Sequence, residues 1–262
     1  MRVCFLLERG SPPRLNPIIA EVFEILGGRG VGVEAIYAEE ELIRLDSLSV
    51  AADLYLLKSD SELSLSLAMA LEALGARVAN AVEACILCKD KLLAASVLSG
   101  AGIPAPPGFA AADPSQLATE LSKRPLILKP HRGYHGVGVS VVENASVLPP
   151  AQVYPDLVLA QEYLRNARKD LKIFGIGDEV CGVRKPFSSD SFLKVGEACA
   201  LEQCVSDLAR KCARAFGLEL YGLDLAEDEK GMYVIDVNYF PGYRGVPDAA
   251  RRLAAHIFSR LK

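Results

Sequence analysis

The sequence predicts an α/β fold in the first third of the chain and an α+β fold in the remainder. Up to about residue 88, apolar strand patterns alternate with helical patterns, a rhythm typical of a small parallel sheet covered by helices. The proline cluster Pro104–Pro107 then marks a boundary. Beyond it, β-rich runs are joined by short polar turns, which favours antiparallel hairpins.

The first third predicts four strands and two helices in alternation. The first helix has Asn16 as its N-cap and Pro17 in its first turn, and Gly27 and Gly28 close it. The second helix is apolar at helical spacing and stops at Gly75. The expected strands are Val3–Leu7, Val31–Ile36, Asp53–Leu57 and Ala76–Ala79, and the expected helices are Asn16–Leu26 and Glu62–Leu74.

The remaining chain predicts three helices and several strands. Two strands flank a glycine-rich loop, and a hairpin turns at Gly177–Asp178. The expected strands are Leu126–Lys129, Val137–Val142, Val158–Tyr163, Leu171–Gly175 and Glu179–Val183, and the expected helices are Lys89–Ser99, Leu201–Phe216 and Asp248–Leu261.

Bulk composition excludes several classes of protein. The net charge of −4 argues against a nucleic-acid-binding protein, and no apolar run approaches a membrane span. The apolar start is too short for a secretory signal, and seven scattered cysteines fit a reducing compartment. We therefore expect a cytoplasmic monomer or homodimer. Local basic clusters around residues 123–132 and 165–185 point to a small anionic ligand.

A second predicted hairpin carries a candidate metal site. Asp224 lies in one β-rich run and Asp236 in the next, with a polar turn at 227–231 between them. Asn238 follows Asp236 by two residues and should face the same way. Three oxygen ligands on one face suit Mg²⁺, although charged residues on a solvated strand face are an ordinary alternative.

A glycine-rich loop and two lysines are candidates for binding phosphate. Glycines in the loop let the backbone approach a ligand and offer N–H groups to phosphate oxygens. Lys129 ends the strand before the loop, and Lys91 lies in the expected helix Lys89–Ser99; a turn without function and a solvated lysine are the alternatives. The loop candidates are Gly133, His135, Gly136 and Gly138.

Further candidates fall into three groups. Gln161 and Glu162 end a strand whose backbone can bond an adenine edge while Tyr163 and Leu164 pack on the ring. On the hairpin that follows, Lys172 and one of Arg184 and Lys185 are expected to face the same cleft, and all three are candidate catalytic residues. Gly242 and Arg244, after the metal hairpin, are candidates for contacting an anion.

The order of these residues resembles the ATP-grasp superfamily over essentially the whole chain. The resemblance implies ATP held between two α+β subdomains, with Mg²⁺ on Asp224, Asp236 and Asn238. It also implies phosphate contacts from Lys91 and Lys129, a mobile lid at Gly133–Gly138, and adenosine contacts around Glu162. Three subdomains are then expected, at residues 1–88, 89–163 and 164–262.

Two chemistries occur in this superfamily. The string Asp236–Tyr243 is similar to that of the inositol tris/tetrakisphosphate kinases, whose substrate contacts would correspond to Lys58, Lys172 and Gly242. The glycine loop and the length of the chain resemble the RimK-type glutamate ligases instead. The leading prediction is a kinase that transfers the γ-phosphoryl group of Mg-ATP to a hydroxyl of an anionic or polyol substrate. The alternative is a carboxylate–amine ligase.

Overall fold

The N-terminal part forms a parallel sheet, as the alternating pattern predicts. A computed structural model describes residues 1–8, 15–132, 138–154, 156–165, 167–185 and 195–262. The sheet has the strand order β2-β1-β3-β4, so its topology reverses between β1 and β3. Ligands of such sheets bind at the carboxyl ends of the strands beside this reversal. The strands are β1 (Arg2–Leu7), β2 (Gly32–Ile36), β3 (Leu54–Lys58) and β4 (Val78–Ala79).

Four helices accompany this sheet, and the one over Val82–Lys89 was not predicted from the sequence. Asn16 caps the first helix as predicted, and Ser61 caps the second. The single helix predicted over Lys89–Ser99 is wrong at its start, because Asp90 interrupts the helical backbone and accepts hydrogen bonds from the next turn. The helices are α1 (Pro17–Gly28), α2 (Glu62–Ala73), α3 (Val82–Lys89) and α4 (Lys91–Gly100).

A second, antiparallel sheet lies in the middle of the chain, with the strand order β5-β8-β6-β7. It has its own hydrophobic cluster, which includes Leu126, Leu128 and Val158. Because this cluster is separate from the larger core, the sheet can shift without disturbing that core. Its elements are β5 (Gly108–Ala111), the single turn α5 (Ala118–Leu121), β6 (Leu126–Pro130), β7 (Ser140–Val142) and β8 (Val158–Glu162).

The third sheet is antiparallel, with the order β11-β10-β9-β12-β13. Helix α6 packs against it, and α7 packs against both this sheet and α1. A Cβ atom on Gly175 would lie 2.0 Å from the Tyr221 ring, so glycine is required there. The elements are β9 (Arg168–Ile176), β10 (Glu179–Arg184), β11 (Glu197–Cys199), α6 (Gln203–Phe216), β12 (Leu220–Asp228), β13 (Gly231–Tyr239) and α7 (Ala249–Arg260).

The first and third sheets share one continuous hydrophobic core. Each of the three sheets lies within one of the three segments predicted as subdomains, and the boundaries themselves stay a prediction. Within the described residues, no helix is long and apolar enough to cross a membrane. Short 3₁₀ turns complete the fold at Ala38–Glu40, Leu45–Ser47, Pro114–Leu117, Ala145–Val147 and Ala151–Val153.

Candidate active site

The predicted metal hairpin is formed by β12 and β13, and a β-bulge sets its register. Asp228 pairs with Gly231 at the turn, and the pairing continues to Leu225 with Val234. The register then shifts, so that Asp224 faces Asp236 and Ile235 is the extra residue. Without the bulge Asp224 would face Ile235, and Asp236 would point to the opposite face of the sheet.

The bulge brings three oxygen-bearing side chains to one face. Asn238 is two residues after Asp236 and pairs with Gly222, so it shares the face of both aspartates. Two carboxylates and an amide oxygen fit Mg²⁺, which prefers oxygen ligands and completes its shell with phosphate oxygens and water. No group of three His, Cys, Asp or Glu side chains gathers as a metal site in the described residues, so the amide is essential to this set. The predicted placement is confirmed, and the ligand role stays a prediction.

Lys91 lies directly at this hairpin. It is the first residue of α4, and its backbone N–H donates to the carbonyl of His131 over 2.9 Å. Its ammonium donates to Oδ1 of Asp236 over 2.7 Å. Burial alone would lower the pKa of Lys91, but the charges of Asp236 and Asp224 outweigh burial and raise it. Lys91 therefore carries a positive charge into the cleft.

Asp236 is the electrostatic centre of the site. Burial acts to raise the pKa of this carboxyl, but the charges of Lys91 and Lys129 outweigh it. A hydrogen bond from Lys91 and the charge of Lys172 act in the same direction. The pKa of Asp236 is therefore held below its ordinary value, and the carboxylate stays ionised and able to bind a cation.

Lys129 joins the middle sheet to the metal hairpin. Its ammonium donates to Oε1 of Gln161 over 2.6 Å and to the carbonyl of Ile235 over 3.2 Å. Ile235 is the extra residue of the bulge, so Lys129 holds the backbone between the two sheets at this point. The structure thus places both predicted phosphate lysines, Lys91 and Lys129, on either side of Asp236.

A small cavity lies between these two lysines. Its volume is about 20 Å³, which is room for little more than one water molecule. A nucleotide base can enter only if the middle sheet moves away from α4 and β13, and the separate core of that sheet permits such a movement. The cavity is lined by Lys91, Ala94, Ala95, Leu98, Lys129, Leu159, Gln161, Ile235, Asp236 and Val237.

The predicted adenosine segment has two different faces. The buried side chain of Gln161 points to Lys129, whereas Glu162 pairs with Arg124 over 2.8 Å. The backbone N–H groups of Glu162 and Tyr163 donate to the carbonyls of Pro107 and Pro125. Tyr163 and Leu164 follow the end of β8 and are partly exposed. Of this segment, Gln161 is the side chain that the structure brings to the cavity.

The glycine loop falls mainly outside the described residues. This holds for Gly133, His135 and Gly136, whose predicted phosphate contacts stay predictions. Gly138 is described and has a φ of +72°, and a Cβ atom there would lie 2.7 Å from Cγ of Pro130. Its carbonyl accepts a hydrogen bond from Tyr154 Oη over 3.0 Å. Glycine is therefore required at 138 by both backbone conformation and space.

The predicted catalytic cations separate into two faces of the third sheet. Lys172 lies opposite Asp224 on β9, and its ammonium is 2.6 Å from Oδ1 of that residue. Burial and the charge of Lys172 lower the pKa of Lys185, which places Lys185 beside Lys172. Arg184 pairs with Leu171, so strand alternation directs it to the face opposite Lys172. The prediction that Arg184 is a catalytic residue is therefore corrected, because Lys185 is the residue of this pair that lies near Lys172.

The remaining predicted substrate residues lie where β3 meets the segment after β13. Lys58 donates from Nζ to the carbonyls of Phe240 and Pro241 over 3.0 and 3.3 Å. Gly242 is next in the chain, and a Cβ atom there would lie 3.4 Å from Nδ2 of Asn16. The charge of Arg244 helps to lower the pKa of Lys185, after burial and the charge of Lys172, so Arg244 lies near Lys185.

Sequence reasoning missed the structural role of Asn80. This side chain is fully buried and makes three hydrogen bonds to the start of β12. Its Oδ1 accepts from the N–H groups of Glu219 and Leu220, and its Nδ2 donates to the Leu220 carbonyl. Tyr239 donates to the Ser59 carbonyl at the end of β13. The N-terminal part of the chain thus holds both strands of the metal hairpin at its open end, away from the turn.

Comparison with known proteins decides the family. The RimK-like ATP-grasp domain matches residues 88–260. The chain belongs to the RimK-like ATP-grasp family. A protein named "Probable alpha-L-glutamate ligase" from Xanthomonas campestris pv. campestris is 31% identical over 213 residues, which cover 73% of each chain.

Solved structures of ATP-grasp proteins share the fold over nearly the full length. A RimK domain ATP-grasp protein from Sphaerobacter thermophilus has a TM-score of 0.80 at 18% identity, covering 98% of this chain and 99% of that one. The ATP-grasp ligase PsnB, in complex with its minimal precursor, Mg and ADP, has a TM-score of 0.72 at 18% identity over 99% and 97% of the two chains. The predicted ATP-grasp fold is confirmed, and the protein is an enzyme of the ATP-grasp type.

These comparisons favour the ligase alternative over the kinase. The family and the named relatives give no support to an inositol phosphate kinase, which the string after Asp236 had favoured. The physical reason is that this string encodes a metal strand and the turn after it. Both chemistries need that geometry, so it carries no information about the group that receives the phosphoryl.

Proposed function

We propose that this protein is an ATP-dependent carboxylate–amine ligase. The substrate carboxylate attacks the γ-phosphorus of ATP, ADP leaves, and the acyl phosphate that forms is then attacked by an amine. An amide and inorganic phosphate are the products. The family membership and the ligase names of the relatives support this reaction. The observation that carries the proposal is the row of charges Asp236, Asp224 and Lys172 across three neighbouring strands.

The Asp236 end of this row suits Mg²⁺ and the phosphates of ATP, and the Lys172 end suits the acid substrate. Asp224, Asp236 and Asn238 would hold Mg²⁺, which supplies charge neutralisation for the phosphates of ATP. Lys91 and Lys129 flank Asp236 and would bind phosphate oxygens. Transfer of a phosphoryl group depends mainly on such positioning and charge, because the transition state spreads its charge over the phosphate oxygens.

Lys172 and Lys185 would hold the acid substrate. Lys172 is paired with Asp224, and Lys185 is close enough to Lys172 and Arg244 for their charges to lower its pKa together with burial. A carboxylate approaching ATP is repelled by the phosphates, and adjacent ammonium groups reduce that repulsion. The same groups stabilise the negative charge that develops on the acyl carbon's oxygen when the amine attacks. We therefore propose a small anionic carboxylate as the acid substrate.

The fate of γ-labelled phosphate tests the reaction. The enzyme is incubated with Mg-ATP and a panel of amino acids, acidic peptides and amines, singly and in pairs. A ligase releases free phosphate and ADP in equal amounts only when a carboxylate and an amine are both present, and mass spectrometry detects the amide. Label in an acid-stable ester, with no need for an amine, would refute the proposal. Asp236→Asn is the control for contaminating ATPase activity.

A further inference from the structure

Each predicted phosphate or substrate lysine in the cleft already has an acceptor from the site itself. Lys91 is 2.7 Å from Asp236, and Lys172 is 2.6 Å from Asp224. Both acceptors are the carboxylates predicted to bind Mg²⁺. One oxygen of each candidate metal-binding carboxylate, Oδ1, is therefore already occupied by an ammonium group.

Lys91 is the more enclosed of the two lysines, whereas the two carboxylates are similarly exposed, at 33% for Asp236 and 29% for Asp224. The Lys91 side chain is only 16% exposed, against 31% for Lys172. Separating a partly buried pair costs much more than separating a surface pair, because each charge is left without solvent or partner. A divalent cation that binds Oδ1 of Asp236 must displace Lys91 and leave that ammonium without its carboxylate acceptor.

A nucleotide removes this obstacle. Its phosphate oxygens are strong acceptors for an ammonium group and lie within reach of both phosphate lysines in the site proposed above. The start of α4 stays anchored through the Asp90 cap, whose hydrogen bonds to Leu92 and Leu93 lie within the helix and do not involve the middle sheet. The exchange of partners therefore requires rotation of one side chain, with no movement of the helix.

We propose that Lys91 keeps divalent cations off Asp236 until a nucleotide is bound, so that nucleotide and metal bind with positive cooperativity. This inference rests on the metal and phosphate sites of the proposed function. By thermodynamic linkage, the factor by which nucleotide raises metal affinity equals the factor by which metal raises nucleotide affinity. Lys91 thus acts twice, first as a substitute for the metal ion and then as a phosphate ligand.

The decisive test measures metal binding without nucleotide. Mn²⁺ serves as the probe, and the loss of the free-ion signal in electron paramagnetic resonance reports binding at pH 7.5. Lys91→Met removes the competing charge and keeps most of the side-chain volume. We expect the variant to bind Mn²⁺ about tenfold more tightly than the wild type, within the usual range for coupled sites. The same variant should bind ADP more weakly, because a phosphate contact is lost.

Lys89→Met is the matched control. Lys89 lies at the end of α3, and its ammonium pairs with Glu62 and the Asp60 carbonyl, away from the metal hairpin. This change alters the net charge by the same amount, so it should leave Mn²⁺ affinity at the wild-type value. An equal gain in Lys89→Met would mean that net charge alone explains the effect, and it would overturn the proposal.

A double variant tests whether the gain in Mn²⁺ affinity arises at Asp236. Adding Asp236→Asn to Lys91→Met should abolish the increase in Mn²⁺ affinity, and a persistent increase would place the cation elsewhere and overturn the proposal. Unchanged or weaker Mn²⁺ binding in Lys91→Met would do the same. Should Lys91→Met not fold, Lys91→Gln tests the same loss of charge while keeping a hydrogen-bond donor for Asp236. These measurements follow metal binding alone, so a failed ligase assay leaves their outcome unaffected.

Discussion

Lys172 and Asp224 lie directly opposite each other on β9 and β12, with 2.6 Å between the ammonium nitrogen and Oδ1. Asp236 continues the same row on β13. The cation that we propose for the acid substrate and a carboxylate that we propose for the metal therefore share one interaction. This arrangement places the reacting carboxylate next to the metal-bound phosphate in the proposed reaction.

Replacing Lys172 should impair the reaction far more than the fold. Lys172→Met removes the charge that attracts the acid substrate and stabilises its developing oxyanion, and we expect kcat/KM to fall by about 100-fold or more. Steady-state kinetics over a range of acid-substrate concentrations measures this. Lys230→Met, in the exposed turn between β12 and β13, is the charge-matched control and should retain wild-type kinetics. Unaltered kcat/KM in Lys172→Met would mean that Lys172 is a solvated strand residue without a role in the reaction.

Replacing Asp236 should abolish turnover. Asp236→Asn keeps the shape of the side chain but removes the charge that would bind Mg²⁺. Loss of a residue that hydrogen-bonds to a metal ligand typically lowers activity by about 10- to 100-fold, and we expect loss of a ligand itself to lower it further. Circular dichroism should show native secondary structure, since the hairpin pairing is unchanged. Asp228→Asn at the turn is the control on the same hairpin. Full activity in Asp236→Asn would contradict the metal assignment.

The sequence predicted the hairpin because its alternating apolar residues and polar turn are local signals. It did not predict the bulge at Ile235, which decides that Asp236 faces Asp224. A regular hairpin with the same turn would place these carboxylates on opposite faces, so the correct prediction depended on a feature that no local pattern showed. For Arg184 the prediction was wrong. Arg184 pairs with Leu171 and its neighbour Val183 pairs with Lys172, so Arg184 faces away from the cleft.

Long-range contacts were beyond sequence reasoning for a different reason. Asn80 bonds to a strand that begins 140 residues later, and Lys58 bonds to carbonyls 182 and 183 residues later. A single asparagine or lysine has no periodicity, and its partner is set by how separate sheets pack. The identity of the phosphoryl acceptor was also out of reach, because kinases and ligases share the metal strand that carried the strongest resemblance.

Asn80→Ala should destabilise the protein. The change removes the acceptor of the N–H groups of Glu219 and of the buried Leu220, whereas the Leu220 carbonyl keeps the Phe240 N–H as its donor. An unsatisfied buried group costs about 1–3 kcal/mol. We expect a loss of at least about 2 kcal/mol in the free energy of unfolding, measured by urea denaturation. Asn144→Ala provides the comparison, because Asn144 is an exposed cap of a 3₁₀ turn and its loss should cost less. Equal losses in both variants would show that Asn80 has no special structural role.

Lys58 should make stability depend on pH in the alkaline range. Burial lowers the pKa of Lys58 to about 8 from 10.5, although the charges of Asp60 and Glu8 act to raise it. Between these two pH values the unfolded chain holds this proton and the folded chain releases it. The unfolded state therefore binds more protons, and the Lys58 contribution to the free energy of unfolding rises with pH by up to about 1.4 kcal/mol per unit.

The comparison with Lys58→Met isolates this contribution, because other groups that titrate in the same range cancel. We expect the free energy of unfolding of the wild type minus that of the variant to rise from pH 8 to pH 10 and to stay level from pH 6 to pH 7. Urea denaturation at each pH supplies the values. A difference that is flat across pH 8 to 10 would mean that the Lys58 ammonium remains charged there, held by its hydrogen bonds to the carbonyls of Phe240 and Pro241.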